Sequence, residues 1–410
     1  MKVLAYTTPA RGHLYPIVPL LTELRRRGHQ VHARTVADEL GTLHHLGLDA
    51  DAIDQRIPAI ALDDYLGRST LSSVKRGIAS FLRRAEFEIP DLRAAIEQVT
   101  PDVLLIDTNA WGAAAAAEAS GLPWAAYLPF PVPLPAPGVP PFGPGLPPAR
   151  SAAGRVRDAV LRPVIVGGYE RMIREPIASV RRQAGACGEV RTVADLYGRA
   201  PLSLYLTVEG FDYPRQSWPV SFRLVGPITY DPPAQNPSWL EEIDRPIVLV
   251  TTSSEFQDDH SLVETALAAL KDEDIFVVAT LPSGELEAFD VPANARVERF
   301  VSHSLLLPRA AAVITHGGMG STQKALAAGV PVVAVPFGRD QAEVARRVEA
   351  SGAGVRLTRR RLTPDRLCSA VHEAIGRRPH ARQLAETFSR AGGASAAADA
   401  LEELAGVPVR

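Results

Sequence analysis

Eight consecutive residues, Thr315-His316-Gly317-Gly318-Met319-Gly320-Ser321-Thr322, combine backbone freedom with donors in a way that suits a diphosphate. Glycines let a backbone approach a ligand closely. Where such a turn opens a helix, free N–H groups and the helix dipole favour an anion. His316, Ser321 and Thr322 add side-chain donors. The same pattern also occurs in α/β turns that bind nothing, so the rest of the chain has to decide. Two other residues complete a reaction on paper. A neutral histidine at position 13 is suited to take a hydroxyl proton near neutral pH. A carboxylate at Asp107, if it reaches the far ring nitrogen, fixes the tautomer and stabilises the imidazolium. Each alone has an ordinary structural reading, His13 as a solvated loop residue and Asp107 as a helix cap. Asp340-Gln341 offers a carboxylate and an amide to hydroxyls in a cleft, or a plain N-cap at Asp340. Thr252, Ser253 and Ser254 form a polar turn that could meet a phosphate or a hydroxyl.

The elements that must carry these residues are legible. Lys2–Thr7 is a strand-like run, and His13 lies just past its end. From Leu14 to Arg27 apolar residues recur at helical spacing, with Pro16 and Pro19 in the first turns and Gly28 as a stop. Gln30–Val36 is a second strand, so the chain opens βαβ and predicts a parallel sheet. Val74–Val99 is expected as helix with a break near Pro90, and Val103–Ile106 as a strand ending in Asp107. Helix Trp111–Ser120 and strand Trp124–Leu128 follow. His13 and Asp107 therefore both sit at the C-terminal ends of parallel strands, where open α/β sheets place ligand groups. Phe130 to Pro148 is too rich in proline and glycine for helix or central strand, and is expected as a long surface loop rather than a linker. Helix is expected again over Val156–Ala184.

A second βα series starts late. Strands are expected at Ile247–Thr252, Ile275–Thr280, Ala311–Ile314 and Val332–Val335, with a short extended piece at Val297–Val301. Helices are expected at His260–Leu270, from Gln323 to Ala328 and from Gln341 to Ala350. Thr363-Pro364-Asp365 opens another, with Thr363 as N-cap. The reading is thus an α/β protein of two Rossmann-like, doubly wound domains with a cleft between them. The expected boundaries are 1–215, a linker at 216–235, 236–385, and C-terminal helices at 386–410 that pack back towards the first domain.

Composition narrows the function classes. The chain has 410 residues, 46% hydrophobic and 22% charged, so two or three domains with ordinary cores are expected. A net charge of −2 argues against a general nucleic-acid or membrane-surface binder. Two cysteines, Cys187 and Cys368, make neither a disulfide framework nor a paired-cysteine zinc site, and a reduced cytoplasm fits best. No membrane span is expected, and the N-terminal apolar run is too short for a signal peptide. Asp49-Ala50-Asp51 and Asp272-Glu273-Asp274 have a D-x-D spacing but are expected to be solvated, so no metal is assigned. Walker A and H-E-x-x-H sequences are absent from the chain.

The constellation resembles a family. His316-Gly317-Gly318-Met319-Gly320-Ser321-Thr322, Asp340-Gln341 and Gly12-His13-Leu14-Tyr15-Pro16 are similar to the GT-B glycosyltransferases of family one. These include plant and mammalian UDP-glycosyltransferases and bacterial enzymes that decorate antibiotics. The resemblance covers nearly the whole chain, including Arg27-Gly28-His29 and Val225-Gly226-Pro227. It implies a donor bound mainly by the second domain and an acceptor by the first. His13 matches the catalytic base and Asp107 its partner. His316 matches the α-phosphate contact, with Gly318, Gly320, Ser321 and Thr322 where the motif meets the phosphates. Asp340 and Gln341 match the pair that holds sugar hydroxyls, and Ser253 joins the donor set. Phe300-Val301 aligns with the segment that packs on the donor base, where tryptophan is common. Ser302-His303 replaces the usual Pro-Gln, and Val344 stands where an asparagine is expected.

The resemblance implies an inverting, metal-independent transfer from a dTDP- or UDP-sugar, a co-substrate rather than a cofactor, to a hydrophobic small-molecule aglycone. Tyr65, Phe87, Trp111 and Phe142, with the Pro-rich loop, are expected to line an apolar acceptor site. Two rivals stay open at this level, a sugar-nucleotide epimerase and a non-catalytic sugar-nucleotide-binding partner. A homodimer is compatible with the sequence.

Overall fold

A computed structural model describes residues 1–283, 286 and 289–407. The first sheet has seven strands, all parallel. They are β1 (Lys2–Tyr6), β2 (Gln30–Thr35), β3 (Asp49–Ala52), β4 (Val103–Asp107), β5 (Trp124–Leu128), β6 (Leu202–Tyr205) and β7 (Phe222–Leu224), in the order β3-β2-β1-β4-β5-β6-β7. The second has six parallel strands: β8 (Ile247–Thr251), β9 (Phe276–Thr280), β10 (Ala295–Glu298), β11 (Ala310–Thr315), β12 (Val332–Ala334) and β13 (Gly354–Arg356). Their order is β10-β9-β8-β11-β12-β13.

Both sheets are covered on two faces, which is why their strands read as apolar runs instead of alternating. In β1, Val3 and Ala5 pack in one core and Leu4 and Tyr6 in the other. In β8, Leu249 faces one core and Val248 and Val250 the opposite one. Strand order reverses between β1 and β4 in the first sheet, and between β8 and β11 in the second. Those two points are where open α/β sheets leave a crevice at the carboxyl ends of their strands.

Several expected elements differ in detail. The run Leu14–Arg27 is three pieces, Arg11–Leu14, a 3₁₀ turn at Tyr15–Ile17, and Val18–Arg26. Pro16 and Pro19 fall in the first turns of the last two, where a missing N–H costs nothing. Thr70–Val99 is one continuous helix through Pro90, opened by a Ser69/Ser72 capping box. Ile89 and Leu92, packed on either side of the proline, hold it in line. Thr363 precedes helix Pro364–Gly376 without a side-chain capping bond.

The stretch expected as linker contains β7, which pairs with β6 through Ser203↔Phe222 to Tyr205↔Leu224. Val208 and Phe211, placed in the first unit by the sequence, pack in the core of the second sheet. Helix Arg378–Arg390 also stays with the second sheet through Ala381, Leu384 and Phe388. The crossing comes after Gly392, whose φ of +85° only glycine adopts cheaply. Helix Gly393–Leu404 then buries Ala397, Ala398 and Leu401 in the first core. Arg27 pairs with Asp399 at 2.6 Å and Glu402 at 2.8 Å, and His29 Nε2 meets Glu402 at 2.6 Å.

Candidate active site

Asp107 ends β4 and is fully buried. Its carboxylate takes the amides of Thr8 at 3.1 Å and Asn109 at 2.9 Å, and the Tyr127 hydroxyl at 3.1 Å. It does not cap the next helix. Helix Trp111–Ser120 has no side-chain cap at Ala110, and its Gly112 amide is held instead by Glu88 Oε2 at 2.8 Å. His13, on the short helix after β1, closes the set. Its Nδ1 lies 3.0 Å from Asp107 Oδ1 and 2.9 Å from Oδ2. Nε2 has only Asn109 Nδ2 at 3.5 Å, a long contact. The ring is 19% exposed and tilts against Phe130, with centroids 5.9 Å apart. Burial pulls the imidazole pKa down, the Asp107 charge and hydrogen bond push it up, and the net position is raised. Two strand ends 94 residues apart are thereby joined into one hydrogen-bonded histidine–carboxylate pair.

Across the cleft, β11 ends at Thr315 and helix Met319–Ala327 begins after Gly318. No side chain caps that helix. Among the described residues, the amides of Met319, Gly320 and Ser321 have no acceptor, so the N-terminus is open to an anion. Gly317 turns with φ +88°, and a Cβ there would come 3.1 Å from the Gln341 carbonyl. A Cβ on Gly318 would run into the His316 ring itself. His316 is almost fully buried, with Nδ1 3.5 Å from the Thr251 carbonyl, and burial lowers its pKa. It is therefore neutral at physiological pH. Ser321 Oγ is committed to the turn, 3.0 Å from Thr315 Oγ1, and Thr322 Oγ1 is buried without a partner. What this turn offers an anion is therefore its backbone amides more than these hydroxyls.

The remaining donor-side residues separate. Ser253 follows β8, and its amide binds the buried Asp259 at 2.8 Å. Asp340 stands at the N-cap position of helix Gln341–Ala350 without capping it, so its carboxylate is free for other work. Burial raises its pKa, opposed by Arg339 and His13, so it lies within reach of the His13 charge. Gln341 is turned inwards instead. Its Nε2 donates to Gln257 at 2.7 Å and its Oε1 accepts from Phe337 and Gly338. Phe300 is 51% exposed, whereas Val301 is core at 6% and offers no face to a base. In the Ser302-His303 departure, burial and Lys324 push His303 down to about 4. The adjoining Ser304 amide is tied to Asp231 at 2.8 Å.

The expected acceptor residues likewise divide. Tyr65 is exposed and meets Phe256 edge-on at 5.5 Å, a contact between the two halves. Phe87 lies under the Arg56 guanidinium at 4.4 Å. Trp111 is largely buried against Phe81 at 5.2 Å and lines a small cavity with Thr108, Ile177 and Tyr197. Phe142 is half-buried at the tip of the Pro-rich loop.

That tip docks on the second half. Glu343 Oε1 accepts from Gly143 at 2.8 Å and Gly145 at 2.9 Å, and Arg346 donates to the Gly145 carbonyl at 2.9 Å. Glu343 Oε2 pairs with the buried Arg347, which reaches Asp212 at 2.7 Å. Asp212 accepts from Tyr205, whose hydroxyl accepts from Val132 at the loop base. Near it, Arg339 holds a left-handed φ of +52° and pairs with Asp64 of the first half at 3.1 Å. Thr8, Asn109, Tyr127, Arg339 and Glu343 carry no local sequence signal for these roles, beyond the neighbourhood of Arg339 and Glu343 to Asp340. Among the described residues no helix is long and apolar enough to cross a membrane.

Comparison with known proteins follows the same lines. A family model described as "Erythromycin biosynthesis protein CIII-like, C-terminal domain" matches residues 264–402. Over 424 residues the chain is 34% identical to 4'-demethylrebeccamycin synthase of Lentzea aerocolonigenes, covering 98% of this chain and 99% of that one. Among solved structures, glycosyltransferase VinC in complex with DTDP superposes with a TM-score of 0.71 at 25% identity, over 99% of this chain and 100% of its own. The calicheamicin glycosyltransferase CalG4 shares the fold, with a TM-score of 0.73 at 21% identity over 99% and 98% of the two chains.

Proposed function

The chain belongs to the GT-B glycosyltransferases of family one, and on that premise we propose that it is an inverting enzyme moving a sugar from a dTDP- or UDP-sugar to a lipophilic natural-product aglycone. The observation that carries the reading is the His13–Asp107 contact at 2.9 Å, which leaves Nε2 of the ring as the free basic nitrogen. The Nδ1 proton is held by Asp107, so Nε2 takes the acceptor hydroxyl proton. The acceptor oxygen bonds to the anomeric carbon from the side opposite the leaving group. The carbon–phosphate oxygen bond breaks, and its electron pair leaves with the nucleoside diphosphate. The open amides of Met319, Gly320 and Ser321, beside the neutral His316, stabilise that charge without a metal. Asp340 takes sugar hydroxyls, while Gln341 acts from beneath by holding the loop. Phe300 is the face offered to the donor base. Tyr65, Phe87 and the Pro-rich loop with Phe142 border the acceptor.

The naming of one relative as a synthase of 4'-demethylrebeccamycin, and of a solved relative in complex with DTDP, supports a natural-product acceptor and a thymidine nucleotide. The test is a panel of nucleotide sugars with an aglycone pool, the anomeric configuration of the product being read by NMR. Product of inverted configuration is expected from wild type. His13→Ala is expected to lose transfer to a hydroxyl while nucleotide binding by calorimetry is kept. Full turnover in that variant, or product of retained configuration, would overturn the mechanism.

A further inference from the structure

Cys368 and His372 stand one helical turn apart on Pro364–Gly376. Leu367, Val371 and Ala374 of the same helix are buried in the second core, so the two donors ride on a rigid element. Glu273 faces them from the turn that leads into β9. Cys368 Sγ is 3.3 Å from Glu273 Oε1, and His372 Nε2 is 3.0 Å from Oε2. The three ligating atoms all lie within 4.8 Å of one another, the one such group among the described residues. Donors around a tetrahedral Zn²⁺ with bonds of about 2.0–2.3 Å stand roughly 3.3–3.8 Å apart, a spacing that side-chain adjustments within the 4.8 Å bound can reach. A thiol, an imidazole and a single carboxylate form a borderline-soft set that suits Zn²⁺. Ca²⁺ and Mg²⁺ demand more oxygens than one carboxylate supplies.

We propose that Glu273, Cys368 and His372 form a three-ligand Zn²⁺ site, with water completing the tetrahedron on the side where His372 is open to solvent. On binding, the thiol proton passes to solvent and both hydrogen bonds to Glu273 are replaced by metal–ligand bonds. The ion staples helix Pro364–Gly376 to the turn before β9. Glu273 lies at the amino end of its strand, away from the carboxyl ends that form the cleft, so the site stands independently of the glycosyl-transfer reading.

The test titrates Co²⁺ into tag-free full-length protein that has been stripped with chelator and kept reduced. A thiolate-to-cobalt charge-transfer band is expected, saturating at one equivalent and displaced by Zn²⁺. Cys368→Ser should abolish it and Cys187→Ser should keep it. His372→Ala should weaken binding by at least the roughly tenfold that loss of even an outer-shell partner costs. Zn²⁺ should raise the melting temperature of wild type but not of Cys368→Ser. No band in wild type, a band that follows Cys187, or equal Zn²⁺ shifts in wild type and Cys368→Ser would each overturn the site. Should Cys368→Ser fail to fold, the exposed position in His372→Ala carries the same comparison.

Discussion

Asp107 shows how one buried charge can be made affordable and useful together. Its two oxygens receive Thr8, Asn109, Tyr127 and His13, so no lone pair is stranded in the core. The His13 pKa is raised because this carboxylate outweighs the desolvation that alone would lower it. A base must be neutral to accept a proton, so kcat/KM should rise with pH through that raised value. Asp107→Asn removes the two largest upward causes and leaves burial opposed only by the more distant Asp340 charge, so the acid limb should move to lower pH. The rate should fall by roughly 10²–10⁴-fold, since the tautomer is no longer enforced. A pH–rate profile decides it, and an acid limb that stays in place would contradict the pairing. Both partners were legible as strand-end residues. The surroundings of Trp111 were not, because an aromatic at the start of an alanine-rich helix looks the same in sequence whatever packs on it. The orientation of Gln341 is hidden for a similar reason: an amide beside Asp340 can point either way, and here the loop amides of Phe337 and Gly338 donate to it.

The Pro-rich loop is an element without regular hydrogen bonds of its own, so its position is set from outside. Val132 is tied at its base and Gly143 and Gly145 at its tip, by one network running through Glu343, Arg347, Asp212 and Tyr205. Gly145 sits with φ +62° directly against the Ala342 carbonyl, where a side chain has no room. Glu343 lies in the first turn of helix Gln341–Ala350, and Asp340 stands at the N-cap position of the same helix, so one element carries both carboxylates. Hydrogen bonds to a charged group are worth about 1.5–3 kcal/mol each. Glu343→Gln keeps an oxygen for the glycine amides but sets an NH₂ or a neutral oxygen against Arg347. Amide exchange at 143–145 should quicken, and the acceptor KM should rise by roughly tenfold, one such bond's worth. Nucleotide affinity should stay unchanged. A parallel loss of nucleotide affinity would show that the network merely holds the second sheet together.

At the scale of the molecule, the last helix closes the chain on itself. Gly393–Leu404 leaves the second half at Gly392 and completes the first core with Ala397, Ala398, Ala400 and Leu401. Its Glu402 is buried between Arg27 and His29, so the docking is polar as well as apolar. Removing the chain after Gly392 should cost the first half on the order of 5 kcal/mol from lost apolar burial alone. Calorimetry should show a melting transition of the first half moved to lower temperature, with nucleotide binding by the second half retained. A truncated chain that melts with the full-length protein would refute this. The two halves also meet through the Asp64–Arg339 pair and the Tyr65–Phe256 contact.

By itself the amino-acid order determined the periodicities. Apolar runs marked strands buried on both faces, helical spacing with glycine stops marked their partners, and the repeated βα pattern called for two parallel sheets. It also determined the chemistry available, since His13, Asp107 and the His316 turn are recognisable by type and by position after strands. Only the tertiary structure decided who meets whom. Placing β1 beside β4, and β8 beside β11, is a matter of sheet order, and sheet order depends on the packing of whole faces rather than on any local pattern. For the same reason β7, three residues long, was hidden in a presumed linker until β6 was there to pair with it. The Glu343 network and the Glu273-Cys368-His372 group were out of reach of sequence because their members are polar residues on separate elements. No periodicity marks a polar contact that forms only after those elements have packed.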